Sequence, residues 1–236
     1  MPGKCFWLMA TVPYIRYIIS GKMKDICFVI RWCLLILFLI LPVVEADAVD
    51  RKRILFLGNS LTAGYGLDRA QAFPALIQKK INSMGWNFEV INAGQGGDTT
   101  AGGLRRLDWL LTRKIHVLVL ELGANDGLRG MMPKVTSHNL QAIIDRAKGH
   151  YPNVKIVLAG MRLPPNLGKD YGIRFRAIFA DLAKKNGALL IPYLLEGVGG
   201  VPELNLSDGI HPGAEGHRIV AENVWKVMKP ILRSMK

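Results

Sequence analysis

The sequence predicts a three-layer α/β/α domain with a parallel sheet at its centre. Two observations predict it. Apolar runs of four to six residues alternate with stretches of helical spacing, and the links between them are short. The first and third apolar runs end directly in glycine, as buried parallel strands can.

Residues Val49 to Arg53 form a polar entry. Ile54-Leu55-Phe56-Leu57 is a continuous apolar run closed by Gly58, and reads as the first strand. Ala72 to Met84 has helical spacing, with Pro74 tolerated in the first turn and Gly85 at the stop. Phe88 to Ile91 is the second strand, Leu104 to Leu111 a helix, and Val117 to Leu122 the third strand, closed by Gly123. Val135 to Ala147 is helical, with Pro152 beyond it. Ile156 to Ala159 is the fourth strand, and Phe175 to Lys185 a helix that stops at Asn186-Gly187. Ala188 to Ile191 is the fifth strand, and Gly213 to Leu232 the last helix. In such a domain ligands bind outside the carboxyl ends of the strands. No internal repeat, low-complexity segment or second domain is visible in the sequence.

Residues 1–48 read as a leader rather than fold material. Trp32 to Val44 is a 13-residue apolar segment preceded by Lys22, Lys24 and Arg31 and followed by Ala46-Asp47-Ala48. This is the pattern of a secretory signal peptide cleaved after Ala48. The alternative is an uncleaved membrane anchor, since a run from Ile26 reaches 19 residues, though Arg31 interrupts it. The stretch before the apolar core is long, and Met23 would be a more ordinary start. The folded domain is then 49–236, in the periplasm or secreted.

Cys5, Cys27 and Cys33 all lie in the leader, so the exported part has no disulfide and must be held by its core. Its 26 basic and 15 acidic residues give it a net charge of +11. The excess is read first as a solvated basic face, and second as weak attraction to an anionic lipid surface. The basic residues are scattered and no recognition motif accompanies them, which argues against nucleic acid. A monomer is expected.

Four short blocks carry the chemistry. Gly58-Asn59-Ser60-Leu61 places a hydroxyl directly after the first strand, where the plainer reading is a helix cap. Asn92 to Thr99 is a glycine-rich turn after the second strand. Gly97 has no side chain to obstruct a backbone N–H aimed at an oxyanion, and Asp98 reads as an anchor for the loop. Gly123-Ala124-Asn125-Asp126 follows the third strand, and a side-chain amide is a neutral donor suited to charge that appears only in a transition state. Asp208-Gly209-Ile210-His211 places a carboxylate three residues before an imidazole in a loop. That spacing lets Asp208 orient His211 while the other ring nitrogen stays free to take a proton from Ser60. His116, His138, His150 and His217 read as surface or packing residues. No cluster has metal-ligand spacing, so no metal and no cofactor is expected.

Together the blocks resemble those of the SGNH (GDSL) hydrolase superfamily, and more narrowly the thioesterase I/protease I/lysophospholipase and arylesterase subfamily. The resemblance runs from Ile54 to Pro230 and includes Arg162-Leu163-Pro164. It implies a flavodoxin-like sheet of five parallel strands in the order 2-1-3-4-5. It implies Ser60 as nucleophile, His211 as base and Asp208 as its orienter, with an oxyanion hole from the Ser60 N–H, the Gly97 N–H and the Asn125 side chain. One position departs: the family's Gly-Asp-Ser is Gly-Asn-Ser here, through Asn59.

The sequence therefore favours a serine esterase or thioesterase that acts on a small-molecule acyl ester or thioester through an acyl-enzyme. A polysaccharide or cell-wall O-deacetylase is the enzymatic alternative. A non-catalytic lipid-binding protein is the alternative of another class, and the intact Ser60, Asn125, Asp208 and His211 argue against it. After the fourth strand, the segment Arg162 to Tyr171 precedes the next helix. There Leu163, Leu167 and Tyr171 offer apolar surface for an acyl tail.

Overall fold

The computed structural model describes residues 51–236; the leader lies outside the described residues. Five strands form one parallel sheet: β1 (Lys52–Gly58), β2 (Phe88–Gly94), β3 (Val117–Glu121), β4 (Lys155–Ala159) and β5 (Leu189–Ile191), in the order β2-β1-β3-β4-β5. The expected fold class and strand order are both observed. The middle of the sheet is made by Ile54 to Leu57, Val117 to Leu120 and Ile156 to Ala159, all buried. These are the runs that lacked alternation, because helices cover both faces.

The helices are α1 (Ser60–Ala63), α2 (Phe73–Ser83), α3 (Thr100–Leu110), α4 (Ala124–Leu128), α5 (Pro133–His150), α6 (Lys169–Asn186) and α7 (Ala214–Met235). α2 packs against α7, while α3, α5 and α6 pack in succession. Each long helix buries one stripe. In α2 it is Phe73, Ile77 and Ile81, and in α7 Val220, Val224, Met228 and Leu232. α6 ends where Gly187 adopts a left-handed conformation.

β2 is an edge strand, and an edge with free N–H and C=O groups invites unwanted pairing. Here the Gln78 side chain takes the place of a missing neighbour. It accepts from the Val90 N–H at 2.6 Å and donates to the Phe88 carbonyl at 3.1 Å.

Strand order reverses between β1 and β3, which opens a crevice at their carboxyl ends. Ser60 follows β1, Gly97 follows β2 and Asn125 follows β3. The sheet thus delivers three of the four blocks to one edge.

Candidate active site

Ser60 opens the one-turn helix α1. Asn59 caps it, its Oδ1 accepting from the Leu61 N–H at 2.9 Å. The turn is tight because Gly58 has no side chain: a Cβ there would lie 2.0 Å from Thr62 Oγ1 and 2.5 Å from Glu121 Oε2. Glu121, the last residue of β3, sits under this turn and is fully buried. Its Oε2 accepts from the Asn59 N–H at 3.1 Å, the Thr62 N–H at 3.2 Å and the Thr62 hydroxyl at 2.6 Å. Burial pushes its carboxyl up to about 7, against the pull of these bonds.

His211 arrives from a distant loop, 151 residues along the chain, and its Nε2 lies 2.9 Å from Ser60 Oγ. Its Nδ1 lies 2.7 Å from Asp208 Oδ2. Asp208 Oδ1 accepts from the backbone N–H groups of Ile210 at 2.9 Å and His211 at 3.0 Å. The His211 N–H, then the Ile210 N–H and the imidazole hold this exposed carboxylate down at about 2. The loop is closed by a bond from the Leu206 N–H to the His211 carbonyl at 2.7 Å and by the bridge between Asn205 and Pro212. The Tyr65 ring packs against the imidazole, with centroids 4.4 Å apart.

Gly97 has φ +72°, a left-handed conformation that suits glycine. Asn125 Nδ2 donates to the Asp98 carbonyl at 2.8 Å, which fixes the plane of the amide and leaves its second hydrogen to be offered elsewhere. Arg106 ties two of the strand ends together. Its Nε lies 2.8 Å from Asp98 Oδ2, and its Nη2 donates to the Gly58 carbonyl at 3.1 Å. Asp98 is therefore the loop anchor that the sequence suggested. Behind Asn125, the buried Asp126 accepts from the Thr100 N–H at 2.9 Å and from the Thr100 hydroxyl.

A hydroxyl beside an imidazole, a carboxylate behind that imidazole, and small donors on adjoining strand ends suit acyl transfer. The comparison with known proteins agrees. The profile of the GDSL-like lipase/acylhydrolase family matches residues 56–219. The chain belongs to this family.

Esterase TesA of Pseudomonas aeruginosa is 41% identical over 182 residues, which is 77% of this chain and 90% of that protein. Thioesterase 1/protease 1/lysophospholipase L1 of Escherichia coli K12 is 38% identical, covering 86% of this chain and 95% of that one. Among solved structures, the psychrotrophic esterase EstA from Pseudoalteromonas, inhibited by monoethylphosphonate, superposes with a TM-score of 0.73. It is 31% identical and covers 77% of this chain and 99% of its own. The protein is thus a serine ester hydrolase of the GDSL-like family.

In this GDSL-like hydrolase the segment after β4 differs in part from its sequence reading. α6 begins at Lys169, not Phe175, so Tyr171 lies in its first turn. The Tyr171 hydroxyl donates to the carbonyls of Gly127 at 3.2 Å and Met131 at 2.7 Å, which ties α6 to the end of α4. Leu163, half-buried, rests on Gly127, where a Cβ would meet its Cδ2 at 2.4 Å. Leu167 is half-buried in a short 3-10 turn. A separate cavity of about 400 Å³ at the outer edge of the sheet is lined by Ala63, Arg69 and Gln78 among others, and by none of the triad. Among the described residues no group of three or more His, Cys, Asp or Glu side chains is placed to hold a metal ion.

Sequence reasoning passed over Glu121, Arg106 and the contact of Tyr65 with His211. Glu121 did leave a signal: it is a lone charge in the apolar strand Val-Leu-Val-Leu-Glu-Leu.

Proposed function

We propose that this hydrolase cleaves acyl esters or thioesters through an acyl-enzyme on Ser60. The observation that carries the reading is the continuous chain Ser60–His211–Asp208, with contacts of 2.9 and 2.7 Å. His211 Nε2 takes the Ser60 proton as Oγ attacks the carbonyl carbon. The tetrahedral oxyanion is met by the Ser60 and Gly97 N–H groups and the Asn125 amide. His211 then protonates the leaving alcohol or thiol, and a water activated by the same imidazole releases the acid. Asp208 keeps Nδ1 protonated throughout and offsets the charge of the imidazolium.

Leu163, Leu167 and the ring of Tyr171 form one wall for the acyl tail. The leader's sequence supports export from the cytoplasm, and the basic excess supports weak attraction to an anionic lipid surface.

The test is kcat/KM for p-nitrophenyl esters of rising chain length, with acyl-CoA, a lysophospholipid and acetylated xylan beside them. Each buried methylene is worth about 0.8 kcal/mol. Rates should therefore climb from acetyl to octanoyl, and Leu167→Ala should lose more on octanoyl than on acetyl esters. Equal losses, with acetylated xylan as the best substrate, would instead support the O-deacetylase reading.

A further inference from the structure

Buried under Ser60, Glu121 takes no part in the chemistry described above. Its Oε2 gathers three donors from the nucleophile turn: the N–H groups of Asn59 and Thr62 and the Thr62 hydroxyl. Two polar atoms in this pocket are buried without a hydrogen-bond partner: Asn59 Nδ2, a donor, and Glu121 Oε1, an acceptor. They are complementary. The Asn59 amide lies close enough to the carboxyl to lower its proton affinity.

We propose that Glu121, as a carboxylate, is the positioning residue for the Ser60 nucleophile, and that Asn59 supplies the donor that lets it serve as one. This rests on Ser60 being the nucleophile. A carboxylate accepts from every group facing it. Protonation would place a hydrogen on the unpartnered Oε1, against the Asn59 amide, donor against donor.

The groups facing Glu121 from the nucleophile turn, Asn59 and Thr62, are neutral. The nearest charges in the hydrogen-bond network are Arg106 and Asp98, one residue away at Gly58 and paired with each other. Among the described residues no charged side chain displaces the carboxyl, which burial alone raises into the neutral range. Two groups must then be deprotonated for turnover, His211 and Glu121.

The chemistry at position 59 makes the inference testable. An aspartate of the same shape would put a second carboxylate beside Oε1. Such a pair holds one proton between them through neutral pH. With that proton on the side chain at position 59, Glu121 still accepts from the whole turn.

The experiment is hydrolysis of p-nitrophenyl butyrate from pH 5 to 9 by wild type, Asn59→Asp, Glu121→Gln and the double variant, with Ser60→Ala as control. The acid limb of log kcat/KM should be steeper than one in wild type and have a slope of one in Asn59→Asp. Glu121→Gln, which mimics the protonated form, should lower kcat at least about tenfold with KM little changed. In the double variant the new amide at position 121 meets the new carboxylate at position 59, and kcat should recover. A residue that only fills space would give neither the change in slope nor the rescue. The inference is overturned if Glu121→Gln keeps wild-type kcat, or if the double variant is no better than Glu121→Gln. Should Glu121→Gln fail to fold, equal slopes in wild type and Asn59→Asp overturn it. An active Ser60→Ala would sink the reading of the site itself, and this inference with it. An inactive Ser60→Ala with any of the failures above sinks this inference alone.

Discussion

A serine hydroxyl is a weak nucleophile, and what distinguishes Ser60 is the geometry beside it. His211 can accept its proton at 2.9 Å only if the imidazole is neutral and its Nδ1 is protonated. Asp208 Oδ2 lies 2.7 Å from Nδ1, a placement that favours that tautomer. Asp208→Asn keeps the size and removes the charge, so the amide can hold the wrong tautomer. We expect kcat to fall by roughly 10²- to 10⁴-fold with KM nearly unchanged, read from Michaelis curves at pH 8. Wild-type kcat in that variant would remove Asp208 from the account. The residues of the proposed triad and oxyanion hole stand out in the sequence because each sits in a short contiguous block with glycine beside it. Arg106 was not, because it works from a helix face on groups eight and 48 residues away. Such a role appears only when strand ends meet in space.

The elements show a similar division. The five strands were legible because apolar runs without alternation have few other places to go. Their ends were less so. β2 continues past Ile91 to Gly94 because β1 pairs with it as far as Gly58↔Gly94. α3 starts at Thr100 rather than Leu104. Gly102 and Gly103 lie inside its first turns and serve close packing: a Cβ on Gly102 would lie 1.8 Å from Asp98 Oδ1, and one on Gly103 2.3 Å from Leu122 Cδ1. α6 likewise starts before Gly172, with Tyr171 pinned to the carbonyls of Gly127 and Met131. The helices α1 and α4 are too short to show a period, although they carry Ser60 and Asn125.

For the whole molecule, three displaced groups, His217, Asp208 and Glu121, set how stability varies with pH from acid to neutral. Burial holds His217 down at about 4 against an ordinary 6.5, so the unfolded chain takes the proton first and stability is lost as pH falls through that window. Asp208, held at about 2 against 3.8, extends the loss further into acid. Glu121, raised from 4.5 to about 7, acts the other way: its contribution is full below 4.5 and is lost as pH rises to about 7. Between 4.5 and 6.5 His217 and Glu121 oppose each other. The Tm should be flat there, and fall both below 4.5 and from 6.5 to 7. A Tm that climbs steadily from 4.5 to 7 would contradict the burial of Glu121. The central claim, that Ser60 is the nucleophile of an acyl-enzyme, is tested most directly by covalent labelling. The protein is treated with an alkylphosphonate ester and its peptides are mapped by mass spectrometry. A single adduct is expected on Ser60, forming in step with loss of esterase activity and absent from Ser60→Ala. An adduct on another residue, or ester hydrolysis that persists in Ser60→Ala, would contradict it.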